Sequence, residues 1–153
     1  GAVVRRRATS RVSGLTERSN PRRVARVVSL LDTCAVVTWT LGEARLTRRA
    51  RTAIARESTV ALSSISIGEI GIEAKHGRLE LPLTLEHDVA RLRTVRGAIV
   101  LPVDEPVWIR NLSPNGDHQD PADRTIVATA VREGCRLVTS DRTMTEFSPK
   151  CVW

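Results

Sequence analysis

The sequence predicts a three-layer α/β domain in which helices flank a central parallel β-sheet. Short aliphatic runs alternate with longer stretches of helical periodicity from residue 27 onward. Strands that alternate with helices pair in parallel through right-handed crossovers, with helices covering the sheet. The first run, VVSLL at 27–31, is almost wholly apolar without alternation, which is typical of a strand buried on both faces.

The remaining elements follow from the same periodicities in chain order. Further strands are predicted at 59–62, 98–103 and 136–139, with a short edge strand at 151–153. Helices are predicted over 35–41, 47–56, 63–77, 84–95, 104–112 and 121–133. For the last helix, Asp120 is a natural N-cap, Pro121 fits the first helical position and Gly134 is a stop.

Three of these helices carry expectations about burial. Helix 47–56 is basic and amphipathic, so its alanines and Ile54 should face inward and its arginines should form a solvated face. Helix 63–77 is rich in isoleucine around most of its circumference, which predicts a largely buried helix. In helix 104–112 we expect Trp108 and Leu112 to pack inward.

The net charge of +7 belongs to one end of the chain. Residues 1–26 contain eight arginines and one acid, whereas residues 27–153 contain equal numbers of basic and acidic side chains. We therefore interpret 1–26 as an arginine-rich tail that is flexible or an expression artefact, and 27–153 as the folded domain. The alternative for the tail is an arm that contacts RNA phosphates or a partner protein.

The cysteines and the apolar runs indicate a cytoplasmic protein. Cys34, Cys135 and Cys151 lack the spacing of metal ligands and are expected to be thiols in a reducing compartment. No apolar run is long enough to cross a membrane, and the arginines near the start are not followed by the apolar segment of a secretory signal.

Four acidic residues are predicted to meet at one edge of the sheet. Asp32 ends the first strand and Asp141 follows the fourth, while Glu69 and Asp123 lie early in helices that begin at the same edge. Helix capping explains Asp120 adequately. Asp123 differs, because it is aligned with the apolar stripe of its helix, where a carboxylate needs compensation.

Carboxylates that share a cleft repel one another, and a divalent cation relieves that repulsion. Carboxylate and water ligands suit Mg²⁺ or Mn²⁺, whereas zinc is disfavoured because no Cys/His ligand spacing appears. Such a site without a nucleophilic side chain indicates hydrolysis of phosphodiester bonds. Asp32 and Asp141 would be the primary ligands, and Thr33 and Thr139 would hydrogen-bond the carboxylates or the substrate.

Four short motifs, taken together in this order, carry a family resemblance. They are Asp32-Thr33 after VVSLL, Ser66-x-x-Glu69, the connector GRLELP at 77–82, and His118-x-Asp120-Pro121-x-Asp123-Arg124 followed by VTSD. Over about residues 27–153 they resemble PIN-domain ribonucleases, and more narrowly the VapC-type toxins of bacterial toxin–antitoxin pairs. The sequence departs from that pattern at Ala122, where the family usually has an aromatic residue.

The resemblance implies a PIN-like fold and a toxin that acts as an Mg²⁺- or Mn²⁺-dependent endoribonuclease. It implies an acidic site at Asp32, Glu69, Asp123 and Asp141, with Asp120 close to that site and Arg124 in contact with substrate. It also implies RNA as substrate, a cognate antitoxin as partner, and a possible homodimer. Two alternatives remain open: a catalytically silent PIN-fold module that binds RNA or a partner, and another carboxylate–metal enzyme such as a DNA nuclease or phosphatase.

Overall fold

The computed structural model describes residues 29–57, 59–112, 120–148 and 150–153. Five strands form one sheet: β1 Ser29–Leu31, β2 Val60–Ser63, β3 Ile99–Leu101, β4 Arg136–Val138 and β5 Cys151–Val152. Within these ranges seven α-helices accompany them: α1 Thr33–Leu41, α2 Arg48–Ala55, α3 Ser64–Lys75, α4 Leu85–Val95, α5 Glu105–Asn111, α6 Pro121–Glu133 and α7 Arg142–Phe147. The predicted boundary at residue 26, the loop at 113–119 and His118 lie outside the described residues.

The sheet is parallel throughout, in the order β3-β2-β1-β4-β5. This confirms the predicted α/β class, including the short last strand at the sheet edge. Strand β1 is central, and Leu30 and Leu31 point into different hydrophobic clusters. One cluster packs the sheet against α1, α2, α3 and α4, and the other packs it against α6 and α7. The three-layer arrangement therefore follows from a strand that is apolar on both faces.

Most helix starts lie where the sequence predicts them, because a side chain caps each one. Thr47, Thr84 and Asp104 accept hydrogen bonds from backbone N–H groups in the first turns of α2, α4 and α5. Asp120 caps α6 in the same way, and Gly134 ends it in the left-handed conformation at φ 66°.

Two expectations about burial are wrong. In α5, Trp108 and Leu112 are 44% and 75% exposed, and Val107 and Asn111 are the residues that face the core. The buried stripe thus lies one position earlier than predicted, and Asn111 is accommodated because its Nδ2 donates to Thr125 Oγ1 at 2.6 Å.

Helix α3 is also less buried than its composition suggests. Only Ser66 and Ile70, one turn apart, are fully buried, and Ile72 is 54% exposed. In contrast, the inward face predicted for α2 is confirmed at Ala50, Ala53 and Ile54.

The cysteines and the helix lengths bear on two further expectations, namely free thiols and the lack of a membrane-spanning segment. Cys34, Cys135 and Cys151 are all described and form no disulfide. Within the described ranges, none of the helices combines the length and the apolar character needed to cross a bilayer.

Candidate active site

The four acids predicted to meet do line one open cleft, of about 360 Å³, at the carboxyl edge of the sheet. Asp32 follows β1, Asp141 is separated from β4 by two residues, Glu69 lies in the second turn of α3, and Asp123 is the third residue of α6. They come together because parallel strands present their carboxyl ends, and the following helices their amino ends, at a single edge.

Asp32 is held in place by its own helix. Its Oδ1 accepts a hydrogen bond from Ala35 N at 2.6 Å as the N-cap of α1, and its backbone N donates to Val138 O of β4 at 3.0 Å. The side chain is only 4% exposed. The carboxylate is therefore fixed by both the sheet and the cap.

Asp141 is fixed by the same device on the neighbouring strand. As N-cap of α7, its Oδ1 accepts from Thr143 N at 2.8 Å and from Thr143 Oγ1 at 2.7 Å. Its backbone N donates to Thr139 Oγ1 at 3.0 Å. Two adjacent parallel strands, β1 and β4, are thus each followed within three residues by an aspartate that caps the next helix.

Burial and like charge together disfavour ionisation of Asp32. Burial is the main cause that raises its pKa, and the nearby charges of Asp141 and Glu69 raise it further. Hydrogen bonds from the Thr139 hydroxyl and from Ala35 N oppose this rise. Because the charges of Asp141 and Glu69 both raise the pKa of Asp32, these two carboxylates repel the ionised form of Asp32.

The carboxylate of Glu69 in α3 is hydrogen-bonded by a hydroxyl group of α1, which affects its pKa. The Thr33 hydroxyl donates to Glu69 Oε2 and lies 3.0 Å from Ser66 Oγ. Burial raises the pKa of Glu69, the Thr33 hydrogen bond lowers it, and the charges of Asp120 and Glu73 raise it. The Thr33 hydroxyl thus donates to a cleft carboxylate, whereas the Thr139 hydroxyl accepts from the backbone N of Asp141; the roles expected of both in the site stay predictions.

Asp120 and Arg124 do not line the cleft. Asp120 is exposed and accepts from Ala122 N at 2.8 Å and Asp123 N at 3.3 Å, so it is the helix cap that the sequence indicates. Arg124 is half-buried, and its Nε has no hydrogen-bond partner among the described residues. The substrate contact expected for Arg124 stays a prediction.

Arg78 and Glu73 line the cleft but were not identified as site residues from the sequence. The guanidinium of Arg78 binds Glu73 through Nε and Nη2, both at 2.7 Å, and Nη2 also lies 3.1 Å from His76 Nδ1. The hydrogen bond from Arg78 is the main cause that lowers the pKa of Glu73. The only signal in the sequence was the connector GRLELP, which places Arg78 just after α3.

The donor chemistry of the cleft suits a divalent cation, since it offers carboxylates whose charges repel one another. Among the residues that the structure describes, however, no three His, Cys, Asp or Glu side chains form a group arranged to hold a metal ion. Mg²⁺ usually keeps several waters and binds through one or two carboxylates, which a pair of these acids can supply.

Comparison with known proteins agrees with the fold. The family model described as PIN domain matches residues 29–148. Ribonuclease VapC22 of Mycobacterium tuberculosis (strain ATCC 25618 / H37Rv) is 31% identical over 138 residues, which cover 81% of this chain and 97% of that protein.

Two solved structures share the fold at low sequence identity. The toxin–antitoxin complex from Klebsiella pneumoniae has a TM-score of 0.58 at 21% identity, covering 82% of this chain and 96% of that chain. FitAcB from Neisseria gonorrhoeae has a TM-score of 0.51 at 24% identity, with the same coverage. Because the family model spans most of the chain and the mycobacterial relative aligns over nearly its whole length, this chain belongs to the PIN-domain family, as a relative of the VapC ribonucleases.

Proposed function

We propose that this protein is an endoribonuclease that depends on Mg²⁺ or Mn²⁺ and acts as the toxin of a toxin–antitoxin pair. The observation that carries the proposal is the convergence of Asp32, Glu69, Asp123 and Asp141 on one cleft, with two of them fixed by adjacent strands. The mycobacterial relative is a ribonuclease, which supports RNA as the substrate class.

The four cleft carboxylates would hold the cation, with Asp32 and Asp141 as the ligands that the sheet positions. When bound, the cation would lower the pKa of water, so that the water loses its proton more easily as it attacks, and would offset charge on the phosphate. The residues of the chain supply the positioning: the cap bond from Ala35 N orients Asp32, and the Thr33 hydroxyl orients Glu69. Both hydrogen bonds also favour the ionised carboxylates that a cation requires.

The test compares two aspartates three residues apart in the same helix start. Asp123→Asn is expected to reduce RNA cleavage by more than the ~10–100-fold typical of supporting residues around a metal site. Asp120→Asn is the matched control: asparagine keeps the helix cap, so cleavage should change little. Equal losses in both variants, or full cleavage in the presence of a chelator, would contradict the proposal.

A second candidate is a PIN-fold module that binds RNA without cutting it. It is favoured by the lack of a preformed metal-holding group among the described residues. Titrating Mg²⁺ into the purified protein with end-labelled RNA separates the two, because binding without new RNA ends supports the silent module.

We further propose an antitoxin partner, which is supported by the likeness of this fold to a chain of the toxin–antitoxin complex from Klebsiella pneumoniae. We also propose a homodimer, because Trp108 and Ile109 of α5 and its C-cap Leu112 are large apolar side chains that stay exposed. Sedimentation of the purified protein tests the dimer, and Leu112→Lys should shift it to monomer if this face is the interface.

A further inference from the structure

A second depression, of about 510 Å³, lies between α2 and the edge strand β5 and is lined by arginines instead of acids. Three of these arginines come from α2 and its C-cap, and one comes from the start of β4, which is distant in sequence. We call this depression the arginine groove, and its lining is Arg48, Arg49, Thr52, Ala53, Arg56, Arg136, Cys151 and Val152.

The charge of the groove is largely uncompensated within the described part of the chain. Arg136 Nη1 lies 3.6 Å from Glu57 Oε1. Arg48, Arg49 and Arg56 are exposed and form no ion pair with any described residue. Because residues 27–153 are balanced in charge overall, this groove is a local concentration of positive charge.

Two of these arginines occupy positions that are unfavourable for the helix itself. Arg48 and Arg49 are the first two residues of α2, whose first turn contains no acid. The positive end of the helix dipole lies there and repels cations. Helices α4 and α5 show the favourable pattern, with acids in the first turn and arginine in the last. The arrangement in α2 therefore does not serve helix stability.

The groove joins the arginines of α2 to the amino end of β4 and to the edge strand β5. The end of α2 lies near the amino ends of β1 and β4, because Ser29 Oγ donates to Glu57 Oε1 at 3.3 Å and Ser29 is in register with Arg136. From Arg48 to Arg56 the helix rises about 12 Å, which matches three to four steps of a nucleic-acid strand at about 3.4 Å each.

We propose that the arginine groove binds the phosphate backbone of an RNA substrate at a segment remote from the bond that is cut. This inference rests on the proposed function, and it adds a second contact region for the same RNA. Guanidinium groups bind phosphate with paired hydrogen bonds, and a polyanion matches the charge of the groove. The residues that line it include no aromatic side chain, so the contact reads backbone instead of stacked bases.

The basic tail does not suit this groove, since residues 1–26 carry a net charge of +7 themselves. An acidic protein segment would satisfy the same charges, but the ribonuclease relative and the proposed function already give this chain an RNA substrate, so RNA is the occupant we argue for. The acidic segment is therefore the alternative outcome of the experiment.

The test measures RNA binding with cleavage blocked by Asp32→Asn. In that background, Arg48→Gln with Arg49→Gln is compared with Arg93→Gln with Arg110→Gln, which removes the same charge from exposed positions on α4 and α5. The probes are labelled bulk transfer RNA and a labelled single strand of about eight nucleotides, a length that one compact site accommodates.

The groove variant should bind transfer RNA at least about 10-fold more weakly, and the slope of log K against log salt should fall by about 2, or about 1 per lost phosphate contact. Its binding to the short strand should stay within about twofold, and the control variant should bind both probes like its parent. Its melting temperature should not fall, because two cations leave a helix N-terminus. With cleavage restored, the KM for transfer RNA should rise at unchanged kcat.

Equal weakening in the two double variants would overturn the proposal, since it would show only non-specific attraction. Unchanged binding of transfer RNA would overturn it as well and would favour an acidic protein segment. The binding readout is independent of turnover. If the unmutated protein cuts no RNA but the groove variant still loses affinity selectively, the groove is supported and the proposed enzymatic function fails.

Discussion

Replacing Asp32 by asparagine is expected to stabilise the metal-free protein at neutral pH while abolishing RNA cleavage. The Asp32 side chain is 4% exposed, and burial together with the charges of Asp141 and Glu69 raises its pKa above the ordinary 3.8. Between 3.8 and the raised value, the folded state binds more protons than the unfolded state, so stability falls as pH rises through this window. Above this window the wild type keeps the full loss of stability. The Asn variant has no such loss, because asparagine does not ionise.

Asp32 affects stability in two ways, through the cost of its buried charge and through its cap hydrogen bond. Substitution by asparagine and by alanine separates the two. Each unit by which the folded pKa exceeds the unfolded pKa corresponds to about 1.4 kcal/mol of lost stability. Asparagine retains the cap bond that Asp32 Oδ1 accepts from Ala35 N at 2.6 Å, whereas alanine removes it at a cost of about 0.5–2 kcal/mol. The Asn and Ala variants should therefore differ by about 1 kcal/mol, or about 4 °C in melting temperature.

The assay is urea unfolding of the wild type and both variants at neutral and acidic pH, with and without Mg²⁺. Without metal, the advantage of Asp32→Asn over the wild type should shrink as the pH falls toward 3.8. With Mg²⁺ at about 100 times its Kd, the wild type should gain about 2.7 kcal/mol, and the Asn variant should gain much less.

A metal-free Asp32→Asn variant that is less stable than the wild type at neutral pH would refute this reasoning. It would mean that the hydrogen bonds from Thr139 and Ala35 outweigh burial and charge repulsion at this carboxylate. An equal gain from Mg²⁺ in both proteins would show that the cation binds elsewhere.

Three further substitutions have defined outcomes. Thr33→Val removes a hydrogen bond that lowers the pKa of Glu69, so the acid limb of the pH–rate profile should move to higher pH. Thr125→Val leaves the buried Asn111 amide without the acceptor for its N–H and should destabilise the protein by about 1–3 kcal/mol in urea unfolding. Gly134→Ala places a side chain at φ 66° and should cost about 1–2 kcal/mol in the same assay.

Each of these substitutions has a matched control. Thr38→Val removes a hydroxyl that bonds only within α1, to Cys34 O at 2.8 Å, and should leave the pH profile in place. Adding Asn111→Leu to Thr125→Val should cost less than the sum of the single changes, because no buried amide remains unpaired. Gly68→Ala, in open space within α3, should stabilise the helix by about 0.5–1 kcal/mol.

Much of the site was predictable because it depends on topology alone. The run before Asp32 and the run before Asp141 each predict a strand, and parallel strands share a carboxyl edge. Asp123 was separable from Asp120 because only Asp123 is aligned with the apolar stripe of α6. The structure places Asp123 in the cleft and leaves Asp120 as an exposed cap, as that difference suggests.

Periodicity alone did not decide which face of a half-apolar helix is buried. In α5 the apolar residues allow two neighbouring stripes, and packing against α6 selects the one with Val107 and Asn111. The hydrogen bond to Thr125 stabilises the buried Asn111, and no local sequence pattern predicts this hydrogen bond. In α3 the isoleucines outnumber the positions that contact the core, so Ile72 stays exposed.

The sequence by itself determined most of the strand–helix alternation, the caps of α4, α5 and α6 and the edge at which the acids lie, because these depend on local propensity and chain order. It did not indicate the short helix α7 or the capping role of Asp141. The tertiary structure decided what depends on neighbours distant in sequence. It set the burial that raises the pKa of Asp32, the position of Arg78 on the cleft, and the alignment of Arg136 with the arginines of α2. Such contacts arise from strand order and helix packing, which bring together side chains that no spacing in the sequence relates.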